Sequence, residues 1–315
     1  MDKVCFGVDI GGTGVKVGLF SQEGKLLDNW TFPTRKTEQG KDIVEDVGDF
    51  VNNKIQELKL SKDNVLGIGV GIPGPVTDDG EVLELANLGY GYFNLEKILG
   101  SRTGLFIKAA NDANVAALGE QWQGGGMGYS SMVLVTLGTG VGGGIIINNK
   151  VVAGSKGAAG EIGHIHLNDE ETGNCGCGRQ GCLEQYASAT GIVRIANNLL
   201  NETDEASSLR GFSEISAKTV FDCAKAGDTL ALRVVDDACD YMGRACGHIS
   251  QVVDPDAFVI GGGVSKAGDI LTETIKKHYN KYVMKTLKDK EFKLATLGND
   301  AGIYGSARMI LLGNK

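Results

Sequence analysis

Residues 4–20 read VCFGVDIGGTGVKVGLF. An apolar run ends on Asp9, the chain turns through Gly11-Gly12-Thr13-Gly14, and a second apolar run follows from Val15 to Phe20. This is the pattern of a strand, a glycine turn and a return strand. Residues 131–147, SMVLVTLGTGVGGGIII, repeat it. There, Gly138-Thr139-Gly140-Val141 matches Gly12-Thr13-Gly14-Val15, again between apolar runs. Matching context on both sides of the repeat points to two related α/β domains.

Working outward, the first half continues with a strand over 26–33, a helix over 43–60 and a buried strand over 65–72 that runs into Pro73-Gly74-Pro75. A short helix over 95–99, a strand over 105–110 and a helix over 113–122 complete it. In the second half the spacing predicts a strand over 131–137, a glycine turn over 138–144 and a return strand over 145–147. Helices are expected over 190–200, 216–226, 230–253, 270–282 and 301–312, and strands over 257–260 and 293–297.

At 315 residues the chain is long enough for two such domains, and its 42% apolar content can fill their cores. The net charge of −8 argues against nucleic-acid or anionic-membrane partners. It leaves a nucleotide possible, because backbone N–H groups hold phosphate without net positive charge. Met1-Asp2-Lys3 and the short run after it lack the length and charge of a secretion signal, and no apolar stretch approaches a membrane span. Glycine, at 48 residues, is well above its usual share of about 7% and clusters beside the apolar runs.

Three features carry chemistry. In the first turn, Gly11, Gly12 and Thr13 can offer N–H groups and a hydroxyl to phosphate, and Lys16 a cation. Asp9 can hold Mg²⁺ through water. The alternative is an ordinary hairpin. The second turn contains a GxGxGG string but leads into a strand, which excludes a dinucleotide fingerprint, and no GxxxxGK[ST] string is present. Gly261-Gly262-Gly263 after an apolar run is a third glycine loop.

Next, His164 followed by Cys175, Cys177 and Cys182 forms a Cys₃His set, the composition of a closed structural zinc site. His166 is the competing imidazole. Cys5, Cys223, Cys239 and Cys246 read as core residues. Finally, Asn111-Asp112 joins a strand to a helix. Asp112 there is either a general base or a helix cap. Glu161 and Glu184 flank the cysteine set, and each is either a surface acid or a partner for paired hydroxyls.

Taken in order, the strings DIGGTGVKVGLF, GVGIPGPV, NLGY, NDAN, LVTLGTGVGGGIII, GEIGH, CGCGRQGCLEQYAS, VIGGGVS and LGNDAGIYGSA resemble the ROK sugar kinases, across about residues 4–310. The pattern is most similar to bacterial glucokinases of the Gram-positive type. The resemblance implies two actin-like ATPase (ribonuclease H-like) α/β domains with a cleft between them. Residues 1–112 plus 301–315 would form the small one and 113–300 the large one, which carries the zinc loop. It implies ATP-dependent phosphorylation of the C6 hydroxyl of glucose by a cytoplasmic homodimer.

The implied roles follow position by position. Asp112 is the base. Asn111, Glu161, His164 and Glu184 bind sugar hydroxyls, and Gly74 and Asn87 line the sugar pocket. His164, Cys175, Cys177 and Cys182 bind Zn²⁺. Asp9, Gly11, Gly12, Thr13, Lys16, Gly138, Thr139, Gly140, Gly262 and Gly263 hold Mg-ATP. Tyr90 departs from the family, where many members carry Trp, and this bears on sugar choice. The alternatives are a kinase for N-acetylmannosamine, fructose or allose, and a sugar-sensing repressor. A repressor would carry a helix-turn-helix ahead of the first strand, for which a strand beginning near residue 4 leaves no room.

Overall fold

The computed structural model describes residues 3–35, 41–83 and 91–313. Asn87 and Tyr90, with the NLGY string, lie outside the described residues.

The first sheet is built from β1 (Val4–Ile10), β2 (Gly14–Ser21), β3 (Leu26–Pro33), β4 (Val65–Ile72) and, past the short antiparallel pair β5 (Glu81–Val82) and β6 (Phe93–Asn94), β7 (Ile107–Asn111). Its order is β3-β2-β1-β4-β7. β1 pairs antiparallel with β2 and parallel with β4. Six of the seven residues of β1 are buried, because helices cover both faces of the sheet around it. Helices α1 (Lys41–Glu57) and α2 (Leu95–Thr103) pack on one side.

Helix α3 (Asp112–Gln123) leads to the second sheet: β8 (Met132–Leu137), β9 (Val141–Ile147), β10 (Lys150–Val151), β11 (Ala257–Gly261) and β12 (Glu291–Leu294). The order is β10-β9-β8-β11-β12, which repeats the first sheet strand for strand. β8 pairs antiparallel with β9 and parallel with β11, as β1 does with β2 and β4. The repeated glycine string is therefore the sequence trace of a repeated topology. Between β10 and β11 come α4 (Glu184–Ala187), α5 (Ala189–Glu202), α6 (Ala217–Lys225) and α7 (Thr229–Val253), and α8 (Asp269–Tyr282) follows β11. They share one apolar core with the inner faces of β8 and β11. The last helix, α9 (Ala301–Gly313), returns to the first sheet and buries Ile303, Ala307 and Ile310 beside Cys5 and Phe20.

Several sequence expectations shift, among them the helix at 95–99, which runs on to Thr103. The glycines at 142–144 are not turn residues but part of β9, paired with β8. A Cβ on Gly144 would strike Ala113 and Ala117 of α3, and one on Gly143 would strike Ile162. Those glycines let α3 lie close against the strand, and the turn shrinks to 138–140. The last strand is Glu291–Leu294 rather than 293–297.

Helices α3 and α9 cross at their smallest residues. A Cβ on Gly119 would meet the backbone of Ala301 and Gly305, and one on Gly305 would meet the backbone of Val115. This crossing sets α3 and α9 between the two sheets. Cys223, Cys239 and Cys246 are core residues, as expected. No helix among the described residues is long and apolar enough to cross a membrane.

Candidate active site

A cavity of about 610 Å³ opens between the two sheets, with Asp9, Gly11, Asp112, Thr136, Gly262 and Gly263 among its walls. Asp9 stands one residue before the end of β1 and Asp112 begins α3 directly after β7, so two carboxylates from the strands on either side of β4 enter one hollow. Burial pushes Asp9 up to about 6; the negative charge of Asp112 adds to the rise and Lys16 opposes it. Burial likewise raises Asp112, opposed by the backbone N–H of Ala113.

Whether Asp112 is a cap or a base is partly decided by its neighbour. The N-cap is Asn111, whose Oδ1 accepts the N–H groups of Ala113 and Asn114 at 2.9 and 3.2 Å. Asp112 accepts the Ala113 N–H through Oδ1 at 2.8 Å, and the Asn111 side chain also steadies its charge. Asn111 donates from Nδ2 to the carbonyl of Gly74 at 3.0 Å.

The glycine loops are shaped as cradles. A Cβ at Gly12, Gly138 or Gly263 would meet nothing within 4 Å, so packing does not require glycine there and the missing side chain leaves open space for a ligand. Gly262 differs: its φ is +81° and a Cβ would collide with Leu137. The loop at 138–140 is pinned to the start of α5, where Ala189 donates to Gly138 O at 2.8 Å and Thr190 to Thr139 O at 2.9 Å. Thr13 is exposed at the tip of the first turn, and its carbonyl accepts the N–H of Thr34. Lys16 is less free than the sequence suggests. Its ammonium pairs with Asp300 and reaches the carbonyl of Asn299 at 3.4 Å, which offsets its charge toward a phosphate.

A second hollow of about 490 Å³ leads off the 138–140 loop between Gly263 and Lys266 on one side and Ser216, Lys218 and Phe221 of the α6 region on the other. Its α6 wall was not foreseen, because an amphipathic pattern locates a buried face and says nothing of what the other face borders.

His164, Cys175, Cys177 and Cys182 converge, with their ligand atoms all within 4.8 Å of one another. Cys175 Sγ lies 3.6 Å from His164 Nδ1, and Cys177 Sγ 3.7 Å from Cys182 Sγ. A tetrahedral zinc with bonds of about 2.3 Å needs ligand separations of about 3.8 Å, so the set fits such an ion. With Nδ1 turned to the sulfurs, Nε2 of His164 is left for another partner. His166 stands apart, bonded to Asp169 and to the carbonyl of Gln180.

Glu184 sits between this cluster and the second turn. Its Oε2 accepts the Val141 N–H at 3.0 Å and its Oε1 faces Cys175 Sγ at 3.7 Å. Glu161 caps the 3₁₀ turn Ile162–His164 with its side chain exposed.

One residue escaped the sequence reading. Glu120 is 1% exposed, yet its carboxylate accepts the N–H groups of Gly125 (2.8 Å), Thr296 (3.0 Å) and Leu297 (2.8 Å). It fastens α3 to the 295–297 loop, part of the same cavity wall. An acid on the buried face of an otherwise apolar helix was the available signal.

The chain belongs to the ROK family, whose profile matches residues 5–312. A glucokinase of Halalkalibacterium halodurans is 42% identical over 314 residues, which span 98% of this chain and 95% of that protein. A glucokinase of Thermotoga maritima is 35% identical over 312 residues, 96% of each. A solved ROK family glucokinase from Streptomyces griseus, in complex with glucose and AMPPNP, superposes with a TM-score of 0.75 at 33% identity, over 97% of this chain and 98% of that one. The two-sheet architecture is the actin-like ATPase fold of these sugar kinases.

Proposed function

We propose that the chain transfers the γ-phosphoryl group of ATP to the C6 hydroxyl of glucose. The observation that carries this reading is the pairing of Asp112 with Asp9 in one cavity, with Asn111 taking over the helix cap. The identity to glucokinases over nearly the whole chain supports glucose as the substrate.

Oδ2 of Asp112 accepts the proton of the C6 hydroxyl as that oxygen attacks the γ-phosphorus. The new O–P bond forms, the bond from phosphorus to the ADP oxygen breaks, and the proton passes from Asp112 to solvent. Phosphoryl transfer is mostly positioning and charge stabilisation. The backbone at Gly11, Gly12, Thr13, Gly138, Thr139, Gly140, Gly262 and Gly263 cradles the phosphates, and the hollow beside α6 takes the nucleoside. Lys16 acts together with Asp300. Asp9 would hold Mg²⁺, which neutralises phosphate charge when bound with ATP.

Asn111, Glu161, His164 and Glu184 bind sugar hydroxyls, with Gly74 behind Asn111; Asn87 keeps its proposed place in that pocket. His164, Cys175, Cys177 and Cys182 would hold a structural Zn²⁺. Its contribution is rigidity: it fixes His164 and, through Cys175, the neighbourhood of Glu184.

We divide the chain into a small domain, 1–112 plus 301–315, and a large one, 113–300, supported by the packing of α9 on the first sheet. A cytoplasmic homodimer completes the reading, and sedimentation of the purified chain tests the dimer.

The test of function is ATP-dependent phosphorylation across glucose, N-acetylmannosamine, fructose and allose. Glucose should give the highest kcat/KM. Another hexose ahead of it would reassign the substrate, and no phosphorylation of any would overturn the kinase reading.

A further inference from the structure

Helix α3 borders two hollows. Asp112, Ala113, Ala116 and Glu120 face the active cavity, whereas Asn114, Val115 and Leu118 line a separate one of about 390 Å³. At about 100° per residue these two sets lie on opposite faces of the helix. The second hollow takes walls from both halves of the chain: Val76 to Asp78 and Lys108 to Ala110 from around the first sheet, and Asn149 to Val151 from the edge of the second. The far end of α9 closes it with Met309 and Leu312.

Its lining is mainly apolar; its polar groups include the exposed Asp78, Lys108 paired with Glu96, Asn114 and Lys150. Asn114 is 2% exposed, and its Oδ1 has no hydrogen-bond partner. Such an oxygen is costly to bury unsatisfied, and Asn114 lines the hollow. Lys150, exposed at the rim, makes no ion pair among the described residues. The volume is within the range of small-molecule sites.

We propose that this hollow is an effector site for a small, flat, mainly apolar acid carrying one N–H or O–H donor. The donor meets Asn114, the acid group meets Lys150, and the ring fills the apolar walls. Because the walls come from both sheets and Asn114 lies in the first turn of α3, occupancy biases the separation of the domains and so the affinity for substrate. Binding is read without any assay of the kinase reaction, so its failure is distinct from failure of the proposed function.

Indole-3-carboxylate is the probe, followed by ligand-observed NMR on the intact chain. It should bind, with 1-methylindole-3-carboxylate at least about tenfold weaker for want of the donor. Asn114→Leu should abolish that difference while preserving or raising the melting temperature. Ala153→Trp, which fills the hollow, should eliminate binding of both and leave kcat at saturating substrate unchanged. In the unsubstituted chain, saturating probe should shift the KM for the hexose by at least about threefold. No binding, equal binding of the two probes, or binding indifferent to Ala153→Trp would overturn the proposal, the middle outcome meaning that Asn114 is satisfied by water alone.

Discussion

Glu184 accepts the backbone N–H of Val141 at 3.0 Å while its other oxygen faces the Cys175 thiol at 3.7 Å. One side chain therefore joins the cysteine cluster to the second glycine turn, and disorder in the first is felt in the second. Metal analysis should find about one Zn²⁺ per chain. Cys177→Ala, which removes a ligand without touching Glu184 directly, should lose the metal and raise the KM for glucose by about tenfold or more. Wild-type KM in a chain shown to be metal-free would mean that the cluster does not support the pocket.

Glu120 gives a second test, remote from the reacting atoms. Glu120→Gln keeps the shape but puts an NH₂ group against backbone donors, leaving at least one N–H unpaired. The cost should be about 1–3 kcal/mol of stability, read by denaturant unfolding. Because the freed loop at 295–297 lines the active cavity, the KM for ATP should rise more than that for glucose. A purely structural role would lower stability and leave both KM values alone.

The two half-buried carboxylates predict a pH dependence whose sign runs against the common case for acids. Asp9 sits at about 6 in the folded chain, above the unfolded value of about 4. The folded state thus holds this proton more tightly, and the stability it lends in acid is lost as pH rises through about 6. Asp9→Asn should stabilise the ligand-free protein at pH 8, by at most about 3 kcal/mol, with the gain disappearing below about pH 4. A gain of the same size at both pH values would show that the effect is not charge burial. For the same reason the acid limb of kcat/KM should lie above the usual carboxylate range, since both acids act ionised.

How far the sequence reaches is visible at particular residues. The strand–turn–strand units and the amphipathic helices were legible because burial on one face leaves a periodic trace. The Cys₃His set was legible because the spacing of its ligands is local. The glycines at 142–144 misled, since glycine serves a turn and a close helix contact equally well, and only the position of Ala113 and Ala117 tells them apart. The cap at Asn111 rather than Asp112 was hidden too, because either residue type caps a helix. Glu120 depends on Thr296 and Leu297, 176 and 177 residues away in the chain, and the α6 wall on the distant loops at 138–139 and 263–267, which no local pattern records.

The central claim is that Asp112 is the base, and Asp112→Asn tests it most directly. The amide preserves the shape, and Asn111 still caps α3, so the variant should fold and bind glucose nearly as the unsubstituted chain does. Its kcat for glucose phosphorylation should fall by at least about 100-fold, the usual contribution of a positioned general base. A kcat within a few-fold of the unsubstituted chain, with glucose affinity intact, would contradict the account and move the search for the base to Glu161.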